Sequence, residues 1–153
     1  PALSPFNAWV LLKGLETFSL RVERQSQSAA RIADALASHP KLARLIYPNS
    51  RHHPQADLIA RQMQGGSTVM ALTLKGGKAE AFRFLNALQL IRISNNLGDA
   101  KSLVTHPATT THQRFTPEQR QEMNVGDGLV RLSVGLEHPD DLIADLTRAL
   151  EQA

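Results

Sequence analysis

Cysteine is absent from the 153 residues. That excludes a disulfide framework, a thiolate metal site and a cysteine nucleophile, and it fits a cytoplasmic setting. No apolar run approaches the roughly 20 residues that a membrane-spanning helix needs. The start, PALSPFNAWVLLKGLETF, has no basic leader, and Lys13, Gly14 and Glu16 break its apolar part, so a signal peptide is rejected. No basic block occurs either. Seventeen Lys and Arg face fourteen Asp and Glu, the signs alternate along the chain, and the net charge is only +3, so nucleic acid is not an expected partner. Low-complexity tracts, internal repeats and linkers are missing too. The chain does not begin with Met, and it reads as a piece of a longer polypeptide.

What remains is an ordinary globular composition, 42% hydrophobic and 20% charged. The length suits one domain, residues 1–153, with its own core. Four polar–proline pairs mark helix starts, because proline suits the first helical position: Ser4-Pro5, His53-Pro54, Thr116-Pro117 and His138-Pro139. Thr116 and Gln119 have the spacing of a capping box. The patterning predicts a long helical segment over 4–38 with a break near Gly14, and Ala29, Ile32, Ala33, Leu36 and Ala37 form its apolar face. Further helices are predicted over 54–63, from Gly77 to about Leu88, over 117–123 and over 140–151. The last of these buries Leu142, Ile143, Leu146, Ala149 and Leu150.

Strands are predicted at 45–47, 69–74, 90–94, 102–105 and 129–134. In the last, Val130, Leu132 and Val134 alternate with Leu129, Arg131 and Ser133. The expected fold is an α/β (α+β) sandwich, a small, mostly antiparallel sheet of about four strands covered by helices on one face.

Chemistry is sparse. Arg131 sits mid-strand opposite an apolar face. It either points to solvent or holds a guanidinium on a rigid strand for bidentate grip of a carboxylate, a task that needs Arg rather than Lys. The histidine groupings, His52-His53 and His106 with His112, lack metal-site spacing, so no metal ligand is expected. His53 reads as a cap, and His106 as a turn residue with its ring hydrogen-bonded. Ser102, His106 and Asp99 crowd one loop without a nucleophile elbow, which argues against a triad. The glycine pairs 65–66 and 76–77 are turns, not phosphate loops. Trp9, Leu12 and Leu15, at helical spacing, read as core or interface. From the residues alone this is a soluble domain with one candidate anion-binding arginine.

Three long stretches carry more: SPFNAWVLLKGLETFSLRVERQS (4–26), NNLGDAKSLVTHPATTTH (95–112) and GLVRLSVGLEHPDDLIADL (128–146). Together, and in this order, they resemble the C-terminal domain of the pyridoxal-phosphate enzymes of cysteine and methionine metabolism, the trans-sulfuration family. The NLGDAKSL version with Thr109-Thr110-Thr111-His112 after it is similar to the sulfhydrylases that act on homoserine esters. Lyases and cystathionine synthases of the same family are the alternatives, and a non-catalytic carboxylate-binding or interaction module is the alternative of another class. The resemblance implies the C-terminal fold of fold-type I enzymes. It also implies pyridoxal 5'-phosphate in the whole enzyme, an amino-acid substrate with sulfide, and a homo-oligomer, tetrameric in relatives. It assigns the substrate carboxylate to Arg131, with Asn96 and Thr111 beside it. It assigns no catalytic lysine and no cofactor-binding residue to this chain; Lys101 is not the Schiff-base lysine by context. Residues 1–153 alone are expected to be inactive, the cofactor domain lying N-terminal to them.

Overall fold

A computed structural model describes residues 2–50 and 53–153. The chain opens with two consecutive helices, α1 (Pro5–Glu16) and α2 (Phe18–Leu36). There follow β1 (Leu42–Ile46), α3 (Ala56–Gln62), β2 (Val69–Leu74), α4 (Lys78–Ala87), β3 (Arg92–Ile93) and β4 (Leu103–Thr105). A short 3-10 turn at Pro107–Thr109 leads to α5 (Pro117–Glu122), β5 (Leu129–Ser133) and α6 (Pro139–Glu151).

Polar side chains start three of these helices at the predicted pairs. Ser4 accepts the Asn7 amide, Thr116 and Gln119 close a full capping box, and His138 accepts the Asp140 amide. The fourth pair works differently. Proline 54 lies ahead of α3, whose cap position is Gln55; the His53 ring instead accepts the Gln55 amide at 3.1 Å and holds a turn. The predicted break near Gly14 falls at Thr17, where the backbone leaves helical geometry. Arg21 reaches back across it to the Thr17 hydroxyl and the Gly14 carbonyl. Gly14 sits inside α1 because an exposed helix tolerates one glycine at a cost of about 1 kcal/mol.

Among the described residues the sheet has five strands in the order β1-β2-β5-β4-β3, against the about four expected. β2 is antiparallel to β1 and β5, and β5 to β4; only the two-residue β3 pairs in parallel. Alternation in β2 and β5 divides the sheet into faces. Met70, Leu72, Leu74, Val130, Leu132 and Val134 are buried beneath Ile32 and Leu36 of α2, Phe84 of α4, and Leu142, Leu146 and Leu150 of α6. Ala37, expected on the apolar face of α2, is exposed because the helix ends at Leu36. The opposite face, with Val69, Ala71, Thr73, Leu129 and Arg131, carries no long helix and is half-buried.

Inside the covered layer sits one carboxylate that the hydrophobic pattern did not mark. Asp145 of α6, 6% exposed, accepts the backbone amides of Gln89, Leu90 and Ile91 and pairs with Arg148. It fixes the chain between α4 and β3. Burial alone would push this carboxyl up; the three amides and the Arg148 guanidinium outweigh it and hold the group below the usual carboxylate value.

α1 stands apart. None of its residues is buried, although Phe6, Trp9, Val10, Leu11, Leu12 and Leu15 are all large and apolar. A helix apolar on most sides is built to be surrounded. Within this chain Trp9, Leu12 and Leu15 are therefore not core.

Candidate functional site

β5 is central, and the segment 95–102 is laced along it. The Gly98 amide donates to the Ser133 hydroxyl at 3.0 Å, and the Leu136 amide to the Ala100 carbonyl at 2.7 Å. Ser102, fully buried, accepts the Gly135 amide and donates its hydroxyl to Glu137, which also takes the Ser102 amide. Gln25 of α2 completes the fastening by donating to the Asp99 carbonyl. The approach is close enough that a Cβ on Gly135 would lie 2.4 Å from the Ser102 nitrogen. Glycine is required there because two backbones touch.

The lacing brings the carbonyls of residues 95 and 96 to Arg131. Its Nη2 donates to the Asn95 carbonyl at 2.7 Å and to the Asn96 carbonyl at 3.3 Å. Its Nε is buried and has no partner. A buried, unpaired guanidinium N–H costs free energy. Arg131 also lines a pocket of about 360 Å³ over the open sheet face, walled by Ile46, Pro48, Val69, Pro107, Val125 and Leu129, with His112 as the other polar side chain. An apolar pocket with one rigid cation favours a small molecule bearing a carboxylate.

Of the other predicted residues, Asn96 is exposed and gives Arg131 its carbonyl rather than its side chain. Thr111 is exposed as well. Its hydroxyl lies 2.8 Å from Nδ1 of His112, so it reaches the pocket through that neighbour and makes no described hydrogen bond to Arg131. His106 is 2% exposed; one ring nitrogen lies 2.7 Å from the Asp127 carbonyl and the other 2.8 Å from the Thr109 hydroxyl. Its ring rests against Phe82. It is the hydrogen-bonded turn histidine expected from the sequence.

Ser102 is committed to Glu137, and Asp99 to Lys101. The Lys101 ammonium holds Asp99 below the usual carboxylate range. Neither group addresses His106. Among the described residues no group of three or more His, Asp or Glu is placed to hold a metal; His52 lies outside them. Among the described residues no helix is long and apolar enough to cross a membrane.

Sequence reasoning missed Asn95, Thr105 and Ser133. Thr105 faces Arg131 across the β4–β5 ladder, a placement that only the register reveals.

A β5 arginine over an apolar pocket, beside a laced polar segment, makes a candidate small-molecule binding region on an α/β scaffold. The model of the Cys/Met metabolism PLP-dependent enzymes matches residues 1–151. An O-succinylhomoserine sulfhydrylase from Mycobacterium tuberculosis is 57% identical over 98% of this chain and 38% of its own length. One from Pseudomonas aeruginosa is 46% identical over 98% of this chain and 37% of its length. Among solved structures, one assigned as an O-acetylhomoserine (thiol)-lyase from Campylobacter jejuni, carrying a pyridoxyl-lysine phosphate, aligns with a TM-score of 0.92 at 39% identity. That alignment covers 98% of this chain and 36% of the other. The chain belongs to the Cys/Met metabolism PLP-dependent enzyme family, and it spans less than two-fifths of the length of these curated relatives.

Proposed function

We propose that residues 1–153 are the C-terminal substrate domain of a cytoplasmic, PLP-dependent O-succinylhomoserine sulfhydrylase, which replaces the γ-succinate with sulfide to give homocysteine. The observation that carries the reading is Arg131, which lines an apolar pocket and whose guanidinium keeps a buried Nε–H without a described partner. In this role Arg131 takes the substrate's α-carboxylate. A carboxylate held on a strand residue fixes the orientation of the Cα–H bond, and such positioning carries several kcal/mol of a barrier. On this reading Asn96 and Thr111 supply hydrogen bonds at the carboxylate end. Bound pyridoxal phosphate would supply the electron sink that lets protons leave Cα and Cβ and succinate leave Cγ.

The cofactor belongs, on this reading, to an N-terminal domain outside these residues. Lys101 is exposed and paired with Asp99, and no lysine lines the Arg131 pocket. The exposed apolar surface of α1 supports a covering domain. Leu3, Phe6, Trp9, Val10, Leu11, Leu12, Leu15, Phe18 and Leu20 are each about half exposed or more. Exposed clusters of large apolar side chains mark interaction surfaces. On this reading the enzyme is a homo-oligomer, as the family resemblance implies.

The succinyl assignment follows the relatives. The two succinylhomoserine enzymes reach 57% and 46% identity, against 44% for an acetylhomoserine enzyme from Thermus thermophilus and for a methionine γ-lyase from Pseudomonas putida. The test is kcat/KM of the full-length enzyme for the succinyl ester, the acetyl ester and methionine, with sulfide supplied. Preference for the succinyl ester supports the reading; preference for either competitor replaces it. Residues 1–153 alone should form no reducible lysine adduct with pyridoxal phosphate.

A further inference from the structure

We propose that Asn95 and Thr105 are positioning residues for the Arg131 guanidinium and through it set the affinity for the substrate's α-carboxylate; this rests on the carboxylate-clamp reading of Arg131. An arginine side chain loses considerable rotamer freedom when held in one pose, and here the shorter of its two hydrogen bonds goes to a loop carbonyl, that of Asn95. That carbonyl lies beyond the end of β3, so the sheet ladder does not fix it. The Asn95 side chain does. Its Oδ1 accepts the Thr105 hydroxyl at 2.7 Å.

Thr105 is the cross-strand partner of Arg131 and is 1% exposed. Its hydroxyl is 3.0 Å from that of Thr110, which donates to the His106 carbonyl at 2.8 Å. One rung of the sheet therefore carries both the arginine and the group that holds its anchor. A buried hydroxyl with defined partners gives the loop one conformation. With Nη2 tied to Asn95, the guanidinium keeps one pose, which leaves its other N–H groups for the carboxylate. The longer bond to the Asn96 carbonyl is the one a ligand displaces.

The test uses the full-length holoenzyme and the variants Thr105→Val, Thr105→Ser, Asn95→Ala and Arg131→Ala. Each hydrogen bond is worth up to about tenfold in an equilibrium. Thr105→Val and Asn95→Ala should each raise KM for the amino-acid substrate by about 5- to 10-fold. They should leave kcat within about twofold. They should weaken equilibrium binding of L-alanine, an amino acid with no leaving group, by the same factor. Thr105→Ser should restore wild-type values.

In the Arg131→Ala background neither change should matter further, because both act through that side chain. Unchanged KM and alanine affinity in the two single variants, with a large loss in Arg131→Ala, would overturn the positioning role and leave the clamp intact. An effect that persists without Arg131, or that lowers kcat and thermal stability together, would make Thr105 merely structural. If Arg131→Ala itself is silent, the clamp reading fails. Asn95 is exposed, so its variant reads out the proposal even where Thr105→Val does not fold.

Discussion

Asp145→Asn tests how the scaffold beneath the site is held. The substitution is isosteric, so no cavity opens. It replaces one acceptor oxygen by a donor. In the native chain Oδ1 serves the Gln89 amide and Arg148, and Oδ2 serves the Leu90 and Ile91 amides. Whichever way the Asn amide turns, one pair of donors meets an N–H. Gln89 and Leu90 are exposed and can turn to water, whereas Ile91 is 3% exposed. With the NH2 in place of Oδ2 the buried Ile91 N–H is left unpaired, and with it in place of Oδ1 the bond to Arg148 is lost; either loss, with the removal of the carboxylate charge, costs up to about 3 kcal/mol. For a chain of this size about 3 kcal/mol lowers Tm by about 6–12 °C.

The pH dependence has a defined sign. The folded-state carboxyl is held below its ordinary value, so its contribution is complete above about pH 4. It is lost as pH falls through the folded-state value. Urea unfolding of wild type and variant should therefore differ by up to about 3 kcal/mol at pH 7, and the gap should close below about pH 4. A difference under about 1 kcal/mol, or one that does not change with pH, refutes this account of the α4–β3 connection.

A Cβ on Gly66 would lie 2.1 Å from the buried Tyr47 hydroxyl, whereas one on Gly65 would meet nothing within 4 Å. Gly66→Ala should cost about 1–3 kcal/mol by overpacking, and Gly65→Ala should stay within about 0.5 kcal/mol of wild type; equal effects in denaturant titrations would contradict the packing. Tyr47 is the only tyrosine. Burial, with Asp34 nearby, pushes its phenol up to about 12. Tyrosinate absorbance of the 153-residue chain should therefore rise near that pH, and stability should fall between about pH 10 and that value, where only the unfolded state gives up the proton. A midpoint near 10 in the folded chain would place Tyr47 in water.

The elements were legible where a local rule acts alone. Proline behind a polar cap marked α1, α5 and α6, and strict alternation marked β5 and put Arg131 on the face opposite the core. What stayed hidden depends on tertiary placement. Asp145 lies at the edge of the apolar stripe, three residues after Leu142 and four before Ala149, but the amides that make a carboxylate acceptable there come from the α4–β3 connection. The bend at Thr17 carries no Gly or Pro signal, and the predicted one at Gly14 was overridden by helix geometry on both sides. Asn95 could not be told from Asn96, because a backbone carbonyl does the holding and every residue has one. Thr105 gains its meaning from cross-strand register with Arg131, which depends on how β4 pairs with β5.

The central claim is that Arg131 holds the substrate's α-carboxylate. Its most direct measurement is the steady-state kinetics of Arg131→Ala in the full-length enzyme, with cofactor absorbance followed in parallel. The account predicts a KM for the amino-acid substrate raised by at least about tenfold, a kcat/KM lowered with it, and cofactor absorbance nearly intact. Unchanged KM and kcat/KM in a folded, cofactor-loaded variant would contradict it.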